Sequence, residues 1–156
     1  MADRPGRLSE MLTPDRVVLP LHAADKAGAI AELTRALGFG STADYEQVLG
    51  AVLERERVMS TGVGFGVAIP HGRAATVASL RMAAGVSGAP LDWQALDGGP
   101  VRLLFLVVGP EAGAGEHIKA LARIARIIRH DALRERLIDC RTPGEFHRTL
   151  RQAEAE

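Results

Sequence analysis

The residues of this 156-residue chain best suited to chemistry lie in one stretch, Arg57-Val58-Met59-Ser60-Thr61-Gly62-Val63-Gly64-Phe65-Gly66-Val67-Ala68-Ile69-Pro70-His71-Gly72. His71 stands between a proline and a glycine, behind a short apolar run and a glycine-spaced loop. Pro70 fixes its own φ and drives Ile69 toward an extended conformation, while Gly72 permits a sharp turn afterwards. An imidazole presented at the mouth of a strand in this way suits a nucleophile or a ligand contact. A core histidine satisfied by hydrogen bonds is the competing reading. His117 follows Gly113-Ala114-Gly115-Glu116, at the start of an expected helix, where partial positive charge and unpaired N–H groups attract anions. It reads either as a donor to an oxyanion or as an exposed first-turn histidine. Arg57, fourteen residues before His71, could neutralise a phosphate at the same strand end or remain a surface cation. Ser60 and Thr61 offer hydroxyls to an anion or to local turn bonds.

The elements that must hold these groups read as follows. Residues 8–13 make one helical turn closed by Pro14, and Val17 to Leu19 a short strand ended at Pro20-Leu21. Asp25 caps a helix running to about Leu37, with Ile30, Leu33, Ala36 and Leu37 on one face. Asp44 caps the next, with Val48 and Val52 inward and Glu54-Arg55-Glu56-Arg57 as a solvated end. Strands are expected at Val67 to Ile69, Arg81 to Val86 and, most clearly, Val101 to Val108. The intervening loop from Leu91 to Pro100 carries Trp93 as a packing cover. Helices are expected from about Glu116 to Arg129, 131 to 138 and 143 to 154, the last with Pro143 in its first turn. Strands and helices mix without strict alternation, which makes an α/β sandwich around a mixed sheet. The whole chain, 1–156, reads as one domain with its core at about 8–150, enough to bury roughly 70% of the unfolded surface.

Composition narrows the function classes. Hydrophobic residues are 47% and charged residues 24%, with nineteen basic and nineteen acidic side chains, so no net field favours nucleic acid or an anionic membrane. One cysteine, Cys140, permits no internal disulfide and reads as a small packer near a helix end. His22, His130 and His147 lack metal-ligand spacing, so no metal and no cofactor is expected. Lys119, Arg123, Arg126 and His130 form a cationic helix stripe, either a solvated face or a docking surface for an acidic partner. The start of the chain shows no secretory signal and no apolar run long enough to insert in a bilayer, so a cytoplasmic setting is the default expectation. Gly62 to Gly66 does not have dinucleotide-fingerprint spacing, and Gly109 to Gly115 lacks the lysine of a phosphate loop, which disfavours a nucleotide-dependent enzyme.

The run from Arg57 through Ser60-Thr61 and Ala68-Ile69-Pro70-His71-Gly72 closely resembles enzyme IIA of the fructose–mannitol class, from the bacterial phosphoenolpyruvate-dependent phosphotransferase system. The resemblance continues through Leu91-Asp92-Trp93-Gln94-Ala95-Leu96-Asp97, Pro100 to Phe105, and Glu116-His117-Ile118 with Leu121. The opening from Leu8 to Val17 is most similar to the nitrogen-regulatory subgroup. The resemblance implies the enzyme IIA fold and a phosphoryl carrier. His71 is then the acceptor of phosphate from an HPr-type phosphocarrier protein, through Nε2, with Nδ1–H held by an acceptor. His117 and Arg57 stabilise the phosphoryl group, and the recipient is a regulatory target protein or an enzyme IIB. Two further readings stay open: a sugar-transport subunit, and a partner-binding module that is never phosphorylated.

Overall fold

The computed structural model describes residues 7–155, and the central sheet explains most of their placement. Helix α1 (Leu8–Met11) and a single 3-10 turn lead into β1 (Val17–Leu21), followed by α2 (Lys26–Ala36) and α3 (Thr42–Val58). Three short strands come next, β2 (Gly62–Gly64), β3 (Val67–Ala68) and β4 (His71–Arg73), and then the long β5 (Arg81–Leu91) and β6 (Val101–Gly109). Helices α4 (Ala114–Ile128), α5 (Asp131–Ile138) and α6 (Pro143–Ala155) close the described chain. The sheet order is β1-β5-β6-β3-β2, with β4 also on β6. Pairing is mixed: β1 runs parallel to β5, β3 and β4 parallel to β6, and β5 antiparallel to β6. This is the expected α/β sandwich.

Alternation along β6 divides the core. Leu103, Phe105 and Val107 join Ile124 of α4, Leu137 of α5 and Phe146 of α6 on one face. Leu104, Leu106 and Val108 join Ile30 and Leu33 of α2 and Val48 and Val52 of α3 on the other. A strand buried on both faces reads as a continuous apolar run, which is why Val101 to Val108 was the most legible element.

Several expectations change in detail. Ser41, not Asp44, caps α3: its hydroxyl accepts from the Asp44 N–H at 3.1 Å, and Asp44 lies inside the first turn. Asp25 does cap α2, accepting from the Gly28 N–H at 2.7 Å. The charged end of α3 is not uniformly solvated, because Glu56 is only 6% exposed. The segment expected as one strand from Val67 to Ile69 is instead β3, an interruption at Ile69-Pro70, and β4, both strands on β6. A prolyl nitrogen has no proton for the ladder, so pairing breaks where Pro70 stands. Cys140 is buried after α5, its thiol donating to the Arg136 carbonyl at 3.2 Å, and burial pushes its pKa up.

Gly72 sets the distance between β4 and α3. A Cβ placed there would lie 3.1 Å from both the Val52 Cγ2 and the Val52 backbone nitrogen. Helix α3 therefore rests directly on the β4 backbone, and any side chain at 72 must push the helix away. Gly72→Ala is expected to destabilise the fold by about 1–3 kcal/mol, the usual range for overpacking, read as a lower urea midpoint with unchanged slope. A wild-type midpoint would show that α3 yields freely.

Candidate functional site

The site is built at the break between β3 and β4. The Ile69 N–H donates to the Thr61 carbonyl at 3.0 Å, and the Pro70 carbonyl accepts from the Val107 N–H at 3.1 Å. The Ile69 carbonyl, lying in the gap, accepts from the Nδ1–H of His71 at 2.9 Å. A carbonyl only accepts, so the proton of the neutral ring sits on Nδ1 and the lone pair on Nε2. Burial lowers the His71 pKa below its ordinary 6.5, opposed by the bond to Ile69 and reinforced by the Arg55 charge. The imidazole is thus neutral and half-buried at neutral pH, with its free lone pair on Nε2.

Two helices bring further groups to it. Helix α4 starts at Ala114, behind Gly113, so His117 is the fourth helical residue and packs inward at 7% exposure. Its ring meets that of His71 edge-on, with centroids 5.4 Å apart. Gly109, at the end of β6, makes the room: a Cβ there would stand 3.2 Å from His117 Nδ1. That nitrogen is buried and has no hydrogen-bond partner among the described residues. Burial first, then the His71 ring and the Arg73 charge, lower the His117 pKa to about 4. From the other side, α3 supplies Arg55. A cleft of about 450 Å³ is lined by Arg55, His71, Arg73, His117, Ile118 and Leu121, among others. The Arg55 guanidinium is steadied by donation to the Met59 carbonyl at 2.8 Å.

The structure therefore brings His71 and His117 together but not Arg57, Ser60 or Thr61. Arg57 borders a separate groove with Lys26, Met59 and Ser60, and its side chain, 78% exposed, pairs with Glu54 at 3.2 Å. The physical reason is helical phase. Val52 faces Gly72, and Arg55 follows it by three residues on the same face. Arg57 lies two residues further, about 200° around the axis. Arg55 is thus the cation that the spacing argument missed, and the Val52–Gly72 contact is the signal that picks it out. The Ser60 hydroxyl donates to the Trp93 carbonyl at 3.3 Å and accepts from the Gly62 N–H at 3.2 Å. The Thr61 hydroxyl donates to Glu56 and accepts from Trp93 Nε1 at 3.2 Å. Both hydroxyls serve the loop. Among the described residues, no group of three or more His, Cys, Asp or Glu side chains is placed to hold a metal ion, and no helix is long and apolar enough to cross a membrane.

A neutral imidazole with one tied nitrogen, beside two arginines and a second buried histidine, is an arrangement suited to holding an anionic group. Comparison with known proteins shows the family. Residues 10–153 match the family described as phosphoenolpyruvate-dependent sugar phosphotransferase system, EIIA 2, and the chain belongs to it. It is 37% identical over 147 residues to a PTS system fructose-specific EIIA component of Haloferax volcanii, covering 93% of each. It is 32% identical over 130 residues to a nitrogen regulatory protein of Bradyrhizobium diazoefficiens, covering 83% of this chain and 85% of that one. Among solved structures, the nitrogen regulatory protein IIA-Ntr of Neisseria meningitidis superposes with a TM-score of 0.85 at 32% identity, covering 92% of this chain and 98% of that one.

The lowered His117 pKa has a sign that can be tested. Below the unfolded value of about 6.5, the unfolded chain takes up a proton that the folded chain refuses until pH 4 is approached. The stability associated with His117 is therefore complete above pH 6.5 and is lost as the pH falls from there toward 4. His117→Gln should flatten the stability curve across that window, measured by urea unfolding at stepped pH. An unchanged slope would place the titration elsewhere.

Proposed function

We propose that this chain is a phosphoryl carrier, accepting phosphate on Nε2 of His71 from an HPr-type phosphocarrier protein and presenting it to a regulatory target. The observation that carries the reading is the His71 Nδ1–H bond to the Ile69 carbonyl, which leaves the lone pair on the other nitrogen. In the transfer, that lone pair forms a bond to phosphorus as the donor's N–P bond breaks, and the donor nitrogen keeps the bonding pair. Phosphoryl transfer needs in-line positioning and charge stabilisation more than covalent help. Arg55 and Arg73 supply cationic N–H donors to the equatorial oxygens. Among the described residues His117 Nδ1 has no hydrogen-bond partner, so no bond holds a proton on that nitrogen and the neutral ring is free to offer an N–H from Nε2 to the phosphoryl group. A neutral His117 also spares His71 a cationic neighbour that would weaken its nucleophilicity.

On this reading the protein is transiently modified and does not turn over a small-molecule substrate alone. The relatives' names divide between nitrogen regulatory protein and fructose-specific EIIA component, so a sugar-transport subunit passing phosphate to an enzyme IIB is the second reading. Both use the same cleft and differ in the acceptor. A cytoplasmic setting follows from the donor proposed.

Incubation with phosphoenolpyruvate, enzyme I and the HPr-type donor should add one acid-labile phosphoryl mass. His71→Ala should abolish it; labelling that survives would remove the assigned acceptor and favour a partner-binding role for His71. Arg55→Ala should slow labelling by roughly a hundredfold to a thousandfold, on the scale of losing one oxyanion donor. Arg57→Ala should leave the rate within about twofold, as for a surface pair of little energetic weight. The reverse ranking would restore Arg57 to the site. Rapid discharge of the phosphorylated protein to a sugar-specific IIB would select the transport reading over the regulatory one.

A further inference from the structure

The charged end of α3 hides a carboxylate that the phosphoryl chemistry does not touch. Glu56 is 6% exposed, and its oxygens are met by donors of different origin. Oε2 accepts from the Thr61 N–H at 2.9 Å and from the Lys26 ammonium at 3.1 Å, while Oε1 accepts from the Thr61 hydroxyl. Lys26 opens α2, so a single carboxylate ties α2, the end of α3 and the loop before β2 into one body. Its indole neighbour adds to the fixation, with Trp93 Nε1 donating to the Thr61 hydroxyl and the Lys26 ammonium 5.5 Å from the ring centre.

Thr61 is held at its N–H and its hydroxyl, and its carbonyl is what receives the Ile69 N–H. The opposite end of residue 69 is the carbonyl that takes the His71 proton. A continuous chain therefore runs from the Glu56 carboxylate through Thr61 and Ile69 to the imidazole. Glu56 also follows Arg55 directly in the helix, so the same anchor sets how far along the cleft the guanidinium stands. We infer that Glu56 is a positioning residue for phosphoryl acceptance: through Thr61 and Ile69 it orients the carbonyl that keeps His71 in its Nε2-nucleophilic form. The inference rests on His71 being the acceptor, as proposed above.

A carboxylate suits the place because Lys26 and the Thr61 N–H can only donate and the Thr61 hydroxyl, which already accepts from Trp93 Nε1, has its own proton to give. A carboxamide there removes the charge that Lys26 meets and leaves one accepting oxygen where there were two, which weakens the hold on Thr61 without loss of side-chain volume.

The test uses the full chain with Glu56→Gln, Thr61→Val and Thr61→Ser, and reads ring 15N shifts of dephosphorylated His71, the labelling rate from the HPr-type donor, and the melting temperature. Wild type should show His71 in one tautomer, with the proton on Nδ1. Glu56→Gln and Thr61→Val should show a mixture of tautomers and label roughly tenfold more slowly, the scale on which outer-shell partners act. Thr61→Ser, which restores the hydroxyl, should match wild type in both. If Glu56→Gln fails to fold, Thr61→Val carries the test by itself. Folded variants with a lower melting temperature but wild-type shifts and rate would overturn the inference, leaving Glu56 a stabilising residue only. A tautomer that responds in a chain whose labelling survives His71→Ala would instead sink the acceptor assignment and leave the positioning chain standing.

Discussion

The hydrogen bond from His71 Nδ1 to the Ile69 carbonyl is the interaction on which the site depends. An imidazole free to choose its tautomer spreads its lone pair over two nitrogens, and an imidazolium has none to give. Here the backbone makes the choice. Ile69 faces away from β6, donating its N–H to the Thr61 carbonyl, and its own carbonyl is available to the imidazole because the Thr61 N–H is turned to Glu56 and does not return a bond to it. Where the backbone N–H of residue 61 points thus becomes an electronic property of residue 71. Burial acts in the same direction, lowering the pKa and holding the ring neutral.

Around that bond the fold arranges close approach. The sheet is buried on both faces, so helices from opposite layers converge on the same end of β4 and β6. Gly72 admits α3 from one side and Gly109 admits His117 of α4 from the other. Each glycine contributes space: Val52 of α3 occupies the first, and the His117 ring reaches into the second. Burying an imidazole nitrogen with no partner is costly, and such groups concentrate where function selects for them. The arginines then meet a ring that carries no positive charge, and their field remains available to an incoming anion.

The place of His71, at a strand end with one ring nitrogen tied, was legible in the sequence because proline and glycine stand on either side of it. The β6 strand was legible because burial on both faces writes a continuous apolar run. His117 was legible as a helix-start residue, but α4 begins at Ala114, two residues before the expected start, and His117 packs inward instead of standing exposed in the first turn. The run Glu54-Arg55-Glu56-Arg57 was the opaque part. Four alternating charges look equivalent in sequence, yet the helix sends Arg55 to the cleft, Glu56 inward to Thr61, and Arg57 to solvent. The inward Val48 and Val52 carry the phase, since Arg55 and Glu56 follow Val52 by three and four residues; the sequence does not declare that this face meets Gly72 and Thr61, which are long-range contacts. Strands β2 and β4 escaped notice for a related reason, since segments of three residues are defined by their partners more than by their own composition.

The most direct measurement of the central claim is the bonding position of the phosphoryl group on the modified ring. Phosphorus–nitrogen and phosphorus–proton couplings in a 15N-labelled, freshly phosphorylated sample identify which nitrogen carries it. The account predicts phosphorus on Nε2 of His71, with the Nδ1 proton still protected against exchange by the Ile69 carbonyl. Phosphorus on Nδ1, or on any other side chain, would contradict it.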